Sequence, residues 1–335
     1  MHESDAEVWE APDVEERRMS KNRSKVHPNY KTRYRVRNWA EYDRALRNRG
    51  DITLWLTPAA IAAWTPLGTG ARGGQRRYSD VAIEAALALR LVFGLAWRQT
   101  EGLLGSVLSL MGLDLEVPDH TTLSRRTAGL EVDLGAGPWS RPVHVVVDST
   151  GVGLFGEGEW AAAKWGGRGR RGWRKLHVAV DEEGFIVAAE LTENTRADAS
   201  VVSDLLGSFD GPIRRFTADG AYDSRAVYEL VRSRGGQVVV PPVRTATKSR
   251  GDPVLSTRDA YIDRIGEVGR RRWRQEVGQH EQARAENTFF RYKSAFGGRL
   301  KGRIEATQRA EVLTGCRILN RMAALGMPVS AKVEA

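Results

Sequence analysis

The stretch at residues 141–150, RPVHVVVDST, decides how the rest of the chain is interpreted. Its run of valines is typical of a buried β-strand, and the pattern predicts that this strand ends at Asp148. A second strand is predicted in IRRFTADGAYDS, residues 213–224, and it ends in the same way at Asp219. An aspartate at the end of a strand places its carboxylate at the edge of a sheet, where ligands usually bind.

Two such carboxylates from one sheet can converge on a hard divalent cation, which prefers oxygen ligands. A third carboxylate on a later helix would complete a two-metal site, in which ions about 3.5–4 Å apart clamp the two oxygens of a phosphodiester exchange. The alternative is structural. Asp148 precedes Ser-Thr-Gly and Asp219 precedes Gly220, so either carboxylate could simply cap a turn.

The segments around these strands predict an α/β domain over residues 141–329, with a mixed sheet flanked by helices. A hairpin that turns at Glu183-Gly184 is predicted in WRKLHVAVDEEG and FIVAAELTEN. A short strand is predicted in GQVVVPPV. Helices are predicted in ADASVVSDLLGSF, SRAVYELVRSRG, HEQARAENTFFRYKSAFGG and RAEVLTGCRILNRMAALG. Residues 244–280 are polar and basic and predict an insertion or extended loop.

The N-terminal part is predicted to be helical over residues 26–135, after an acidic and then basic disordered leader at residues 1–25. YSDVAIEAALALRLVFG and WRQTEGLLGSVLSLMGL predict two helices, and VPDHTTLSRRTAGL predicts a third that Asp119 caps. Three short helices suit a helix-turn-helix unit that binds DNA, and an ordinary helical subdomain with a basic face remains the alternative. The third helix offers five candidate DNA contacts: Thr121, Thr122, Ser124, Arg125 and Arg126.

The net charge of +9 and the sequence pI of about 9.8 favour a polyanionic partner, of which nucleic acid is the usual one. A generally solvated basic surface is the alternative. Further candidate DNA contacts are Arg168, Arg170, Arg171, Arg174 and Lys175 with Trp165 and Trp173, and Arg270, Arg271 and Arg272 with Trp273. Tryptophan can stack on an unpaired base, but these tryptophans could equally be core residues. His144 and His177 lie in apolar strands and are predicted to be core residues.

Other features exclude several classes of protein. A single cysteine, Cys316, allows neither an internal disulfide nor a cysteine-based metal cluster. No apolar run approaches the roughly 18 residues of a membrane span, and the acidic N-terminus does not resemble a secretory signal. We therefore expect an intracellular protein without membrane contact.

Several stretches match one known family in their order and spacing. They are NYKTRYRVRNWAEYDRALRNRGDITLW, YSDVAIEAALALRLVFGLAWRQTEGLL, VPDHTTLSRR, HVVVDSTGVGLFGEGEW, WRKLHVAVDEEG, TADGAYDSR and ALGMPV. With them, the chain from about Pro28 to Val329 resembles bacterial insertion-sequence transposases of the IS5 family, in the branch related to IS903. The resemblance implies an RNase H-like catalytic domain that cleaves DNA and joins its 3′ ends to target DNA.

The resemblance also implies the residues of the site. The catalytic and metal-binding triad would be Asp148 in DST, Asp219 in ADGAYD and Glu286 in RAENTFFRYK. The cofactor would be Mg²⁺ (or Mn²⁺), with two ions per active site. The partners would be double-stranded DNA, as terminal inverted repeats and target, and further copies of the chain in a homo-oligomer on DNA. The location would be the bacterial cytoplasm, in association with the nucleoid.

The chain departs from the wider group at one point. That group carries Tyr, Arg, Glu and Lys, with two, three and six residues between them. Glu286 and Lys293 fit this spacing and share a helix face, which suggests a carboxylate beside a phosphate-binding lysine. Gln279 and Gln282 replace the tyrosine and the arginine. These two glutamines leave an inactive DNA-binding derivative of a transposase as an alternative. A nuclease of similar fold without strand transfer is a further alternative, and the competing glutamates are Glu276 and Glu281.

Overall fold

The computed structural model describes residues 34–66, 75–135, 139, 141–154 and 172–333 of the 335-residue chain. Contacts divide the chain into a small unit, formed by the described residues of Met1–Ala40 and Pro328–Ala335, and a large unit, Glu41–Met327. The predicted leader at residues 1–25 and the candidates Trp165, Arg168, Arg170 and Arg171 lie outside the described residues.

The small unit contains two short strands, β1 (Tyr34–Val36) and β8 (Ser330–Lys332), which pair antiparallel. The backbone N–H of Arg37 donates to the carbonyl of Val329 at 2.8 Å, and the N–H of Val329 donates to Asn38 Oδ1 at 2.7 Å. These two hydrogen bonds extend the pairing beyond the strands.

A six-stranded mixed sheet forms the centre of the large unit. Its strands are β2 (Val143–Leu154), β3 (Trp173–Val180), β4 (Ile186–Glu193), β5 (Ile213–Thr217), β6 (Gln237–Val239) and β7 (Arg299–Leu300). The order is β4-β3-β2-β5-β6, and β7 pairs with the far end of β2. β2, β3 and β4 are antiparallel neighbours, whereas β5 pairs parallel with both β2 and β6.

Eleven α-helices lie within the described residues. They are α1 (Trp39–Asn48), α2 (Pro58–Ala62), α3 (Asp80–Val92), α4 (Trp97–Leu110), α5 (His120–Thr127), α6 (Asp198–Gly207), α7 (Arg225–Ser233), α8 (Ser256–Val268), α9 (Arg270–Glu276), α10 (Ala283–Phe296) and α11 (Glu305–Ala324). Short 3₁₀ turns include Gly220–Tyr222 and Gln279–Gln282.

Two helices cover each face of the sheet. On one face, Leu205 of α6 and Val231 of α7 pack in a buried core with Val145 of β2. On the other face, Phe289 of α10 and Cys316 of α11 pack in a second core. This layered arrangement, with three antiparallel strands followed by two parallel ones, is the RNase H-like fold, which confirms the predicted α/β class.

The first strand is longer than the sequence pattern predicted. β2 does not end at Asp148 but continues through Leu154, because β3 keeps pairing with it as far as Gly153, opposite Trp173. Pairing of β2 with β5 does end near Asp148, at Val146 opposite Thr217. Asp148 therefore lies at the point where a neighbouring strand stops and not at the end of its own strand.

The N-terminal helices form a layer of their own around α3. Asp119 caps α5 as predicted, since it accepts from the N–H groups of Thr121 and Thr122, and Ser79 caps α3 by accepting from the N–H of Ala82. α3 packs with α4 and α5 in a third core, which also contains Ala310 and Ile318 of α11, whose other side packs on the sheet.

Residues 244–280, predicted as an insertion or an extended loop, are largely helical. They contain α8 and α9, which are separated by Gly269 in a left-handed conformation (φ 79°). Trp273 of α9 is fully buried and packs edge-to-face on Tyr261, with ring centroids 5.1 Å apart. A short, glycine-broken pair of helices carries too little periodicity to be recognised in the sequence. Among all the described helices, none is long and apolar enough to cross a membrane.

Candidate active site

Asp148 faces α10. Alternate residues of a strand point to opposite faces, and Val152, four residues further along β2, lies in the core beneath α10. Asp148 is half-buried, and one of its carboxylate oxygens accepts from the N–H of Ser149 at 2.8 Å. No ion pair to Asp148 occurs within the described residues.

Asp219 lies two residues beyond β5 and is exposed. Its Oδ1 atom accepts from the N–H of Ala221 at 2.9 Å and caps the 3₁₀ turn Gly220–Tyr222. The capping alternative therefore holds for one oxygen of Asp219. The other oxygen makes no recorded contact in the part of the chain that the structure describes.

Glu286 lies in the first turn of α10, and two contacts hold this helix against β2. Gln282, in the turn that leads into α10, donates from its side-chain amide to the carbonyl of Val147 at 3.0 Å. Lys293 donates from Nζ to Thr150 Oγ1 at 2.7 Å. Because Val147 and Thr150 flank Asp148 along β2, the helical segment between Gln282 and Lys293 runs past Asp148, and Glu286 lies in that segment.

Asp219 and Glu286 lie close enough to Asp148 for their charges to act on it. The pKa of Asp148 is raised to about 6, above all because burial disfavours its charged form, while the hydrogen bond from Ser149 opposes the shift. The negative charges of Asp219 and Glu286 raise this pKa further, and Asp198 of α6 makes a smaller contribution. The site thus concentrates negative charge.

The donor chemistry of this cluster suits a divalent cation, since carboxylate oxygens are the ligands that Mg²⁺ and Mn²⁺ prefer. None of Asp148, Asp219 and Glu286 forms an ion pair within the described residues. A cation would relieve the repulsion that adds to the effect of burial on the pKa of Asp148. The carboxylates are not gathered into a ligand set, however: in the described ranges, no three His, Cys, Asp or Glu side chains are close enough together to hold a metal ion.

Further polar contacts hold the turn before α10 against the sheet. Glu281 pairs with Nδ1 of the buried His144 at 2.7 Å, and Nε2 of His144 contacts Thr217 Oγ1 at 2.9 Å. Burial lowers the pKa of His144 to about 4, although Glu281 opposes the shift. Arg284 donates to the carbonyl of Glu182. His144 is thus a core residue, as predicted, and Glu281 binds it.

The other competing glutamate, Glu276, lies at the end of α9 and is exposed. Its carboxylate accepts from Arg264 at 2.8 and 2.9 Å and from Arg272 at 3.3 Å. Neither Glu276 nor Glu281 is among the main causes of the raised pKa of Asp148.

Sequence patterns did not single out Asp198, the first residue of α6. Its carboxylate accepts from Lys175 Nζ at 3.1 Å and from Ser149 Oγ at 3.2 Å. His177 Nδ1 lies 3.8 Å from it, and burial lowers the pKa of His177 to about 4. Since an aspartate in the first turn of a helix is common, no sequence signal distinguishes Asp198 from a simple capping residue.

The DNA-contact candidates on α5 are largely engaged within the protein. The hydroxyls of Thr121 and Thr122 donate to Asp119 at 2.5 and 2.8 Å. Arg126 donates to Asp80 at 2.5 Å and to the carbonyl of Tyr78 at 3.0 Å. Ser124 and Arg125 are exposed.

The remaining candidates also differ in their surroundings. Arg174 pairs with Glu193 at 3.0 Å and Glu305 at 3.4 Å, and Lys175 also donates to the carbonyl of Arg196 at 2.8 Å. Arg271 and Arg272 are exposed on α9. Trp173 is 42% exposed, whereas Trp273 is a core residue.

The fold and the acidic cluster together are typical of enzymes that cleave phosphodiesters with divalent metal ions. Two family models, each described as a transposase DDE domain, match the chain, one at residues 47–157 and the other at residues 139–321. The second match covers more than half of the 335 residues, so the chain belongs to the DDE transposases. It is a metal-dependent transposase.

Among solved structures, the chain is similar to the piggyBac transposase in its synaptic complex with hairpin DNA, determined by cryo-EM. The identity is 12%, the match covers 81% of this chain and 73% of that chain, and the TM-score is 0.37. The likeness is too weak to bear on individual residues.

Proposed function

We propose that this transposase belongs to the IS5 family, in the IS903-like branch, and that it acts on the terminal inverted repeats of an insertion sequence. It cleaves the DNA at these repeats and transfers the 3′ ends to target DNA. Support comes from the motifs DST, ADGAYD and RAENTFFRYK and from the negative charges of Asp219 and Glu286, which add to the raised pKa of Asp148. The proposed cellular setting is the bacterial cytoplasm, next to the nucleoid.

Asp148, Asp219 and Glu286 form the proposed catalytic triad and would hold two Mg²⁺ or Mn²⁺ ions. When bound, the ions would supply an activated water and stabilise the leaving 3′ oxygen. The observation that carries this assignment is the position of α10, which Gln282 and Lys293 fix against β2 on either side of Asp148.

Lys293 has a second role in this proposal. It is exposed, and its only recorded partner among the described residues is the neutral hydroxyl of Thr150. Its charge therefore remains available to a phosphate of the DNA beside the carboxylates. Strand transfer needs no covalent protein–DNA intermediate, because the freed 3′-hydroxyl attacks target DNA by the same chemistry.

The DNA partner is bound in part by the N-terminal helical region, where Ser124 and Arg125 of α5 are the exposed candidates. Arg271 and Arg272 of α9 are further proposed contacts. Cleavage at two ends of one element requires at least two active sites, so the proposed active form is a homo-oligomer on DNA. Light scattering of the protein with and without end DNA measures this directly.

The test uses the purified full chain, a labelled duplex carrying the DNA that flanks the gene, and a target plasmid, with and without Mg²⁺. We expect nicked ends and end–plasmid joints only with the metal. Asp148→Asn should lower the cleavage rate by roughly 10³-fold, about 4 kcal/mol of transition-state stabilisation. Asp210→Asn, at an exposed position between α6 and β5, is the matched control and should cleave normally.

Each alternative gives its own result. Nicking without joints would identify a nuclease of this fold, and binding without nicking would identify an inactive derivative. Normal cleavage by Asp148→Asn would overturn the triad even if the wild-type protein is a transposase.

A further inference from the structure

A second site lies in the large unit, in a cavity of about 830 Å³ between the N-terminal helices and the segment that joins β7 to α11. Leu87 and Arg90 of α3 and Trp97 of α4 contribute one wall. Lys301 and Arg303, which follow β7, contribute the opposite wall. None of these residues belongs to the proposed triad.

Arg90 is the unusual residue of this cavity. It is 93% buried, since only 7% of its surface is exposed, and its guanidinium lies 4.4 Å from the centroid of the Trp97 ring. Its Nε atom is buried without a hydrogen-bond partner. No carboxylate forms an ion pair with Arg90 within the described residues. Burying an unpaired guanidinium is costly, so an anion in the cavity would stabilise it.

The carboxylate of Glu311 lies near Arg90 but forms no ion pair with it within the described residues. Glu311 of α11 lines the same cavity, but its oxygens accept from the backbone N–H groups of Lys301, at 2.9 and 3.0 Å, and of Gly302, at 2.8 Å. Glu311 thus fixes the turn after β7. Its charge also favours the charged forms of Arg90 and Lys301, so the cavity contains three cations and one carboxylate.

The cations are also held close to one another. Lys301 Nζ donates to the carbonyl of Gly94 at 2.7 Å, and the pKa of Lys301 is lowered by burial and then by the charge of Arg90. Like charges in proximity favour a bound anion. The N-terminus of α4 also lies in the cavity wall, and its cap position is Ala96, which has no side-chain acceptor for the free N–H groups.

We propose that this cavity binds a phosphate group through Arg90, Lys301 and Arg303. A guanidinium presents parallel N–H donors that match two phosphate oxygens, which makes Arg a preferred phosphate ligand. The apolar wall of Leu87 and Trp97 leaves room for the sugar or base that such a phosphate carries.

The expected source of the phosphate is the backbone of the bound DNA, a step that rests on the proposed function. β7 pairs with β2 at Gly153, five residues beyond Asp148 on the same strand. Five strand residues span about 16 Å. That length equals about five base-pair steps of B-DNA, and Lys301 directly follows β7, so we place the phosphate within the span of one duplex that also occupies the triad. A free nucleotide or phosphate ion is the other source of the same chemistry.

The experiment has two arms and uses the full chain as wild type, Lys301→Gln, Arg303→Gln and the control Arg98→Gln. Arg98 is exposed in the first turn of α4 but does not line the cavity, so it matches the charge change. The first arm follows thermal unfolding with inorganic phosphate against chloride at equal ionic strength. The second measures affinity for duplex DNA between about 50 and 200 mM salt.

If the phosphate is that of DNA, each cavity variant should reduce the slope of log K against log salt by about 0.9, and Arg98→Gln should not. If the ligand is free phosphate, phosphate should raise the melting temperature of the wild type and of Arg98→Gln but not of the cavity variants. The proposal fails if the cavity variants equal Arg98→Gln in both arms. A wild type that binds no DNA would count against the proposed transposase substrate, while the phosphate arm would still decide the cavity.

Arg90→Gln is a supplementary variant because its buried position places folding at risk. Its melting temperature is measured first, without phosphate. If the variant folds, it should lose the response to the ligand as Arg303→Gln does, and a full response in folded Arg90→Gln would overturn the assigned role of Arg90.

Discussion

The helices α5 and α10 both carry polar side chains that the sequence marks as functional, yet they use them in opposite ways. On α5, Thr121 and Thr122 donate to the capping residue Asp119, and Arg126 is bound to Asp80. On α10, Glu286 is exposed and makes no recorded hydrogen bond or ion pair in the described ranges. Lys293 contacts only a hydroxyl group there.

The difference shows what a sequence motif can and cannot specify. A polar residue at a helix start can satisfy the free N–H groups of its own helix, and then it is not available to a ligand. A charged residue that lies beside a strand and has no partner within the protein remains available to bind a ligand. The partners of a side chain, more than its type, thus separate α10 from α5.

The largest effect is expected from removing the charge of Glu286. We expect Glu286→Gln to lower DNA cleavage by roughly 10³-fold, because it removes a proposed metal ligand. Glu276→Gln removes the same charge from a glutamate that only pairs with arginines, and it should cleave at a rate close to wild type. Equal losses in both variants, measured as single-turnover rates at saturating Mg²⁺, would contradict the assignment of Glu286.

A smaller effect is expected from Gln282, which is buried and holds the start of α10 against β2. Gln282→Leu removes the hydrogen bond to the carbonyl of Val147 and should lower cleavage by about 10–100-fold. The half-saturating Mg²⁺ concentration should rise, because the carboxylates of Glu286 and Asp148 would be held less well together. Two variants serve as comparisons for Gln282→Leu. They are Gln282→Asn, at the same position, and Gln275→Leu, at an exposed position on α9.

A merely structural Gln282 would give a different result. Gln282→Leu would then melt at a lower temperature but show the wild-type dependence on Mg²⁺ once folded. That outcome would leave α10 positioned by Lys293 and by its apolar face alone.

The smallest effects are expected on α5, where two neighbouring arginines differ in their partners. Arg126→Gln should lower the free energy of unfolding by about 1–2 kcal/mol, because it loses hydrogen bonds to Asp80 and Tyr78. Arg125→Gln should leave stability unchanged and reduce the salt dependence of DNA binding by about one phosphate contact. Chemical denaturation and fluorescence anisotropy separate the two, and the reverse pattern would contradict the assignment of α5.

Much of the sheet was predictable because its strands are continuous apolar runs bounded by clear turns. The hairpin of β3 and β4 turns at Glu183-Gly184 as expected, and Gly184 adopts a positive φ of 90°. Asp219 lies just beyond β5, close to the strand end that the pattern predicted, whereas β2 continues past Asp148. Glu286 was assigned through the resemblance, since an exposed glutamate on a helix has no distinguishing local signal.

The remaining features depend on contacts that are distant in sequence. Nothing in the run VHVVVDST reveals that β2 continues to Leu154, because the last residues are held by β3 and β7. The amide of Gln282 meets a carbonyl 135 positions earlier in the chain. In the sequence, glutamine in place of arginine at position 282 suggests the loss of a contact. In the structure, the side chain of Gln282 forms a hydrogen bond to the carbonyl of Val147.

The double role of α11 has a consequence for how the protein unfolds. This 20-residue helix packs Val312 and Cys316 against the sheet and Ala310 and Ile318 against α3, and Arg317 also pairs with Glu84 of α3 at 2.6 Å. Detaching α11 from either partner would expose apolar surface and leave a polar contact unmade. The N-terminal helices and the catalytic sheet should therefore unfold in one cooperative transition. A substitution that destabilises either part should also lower the stability of the other.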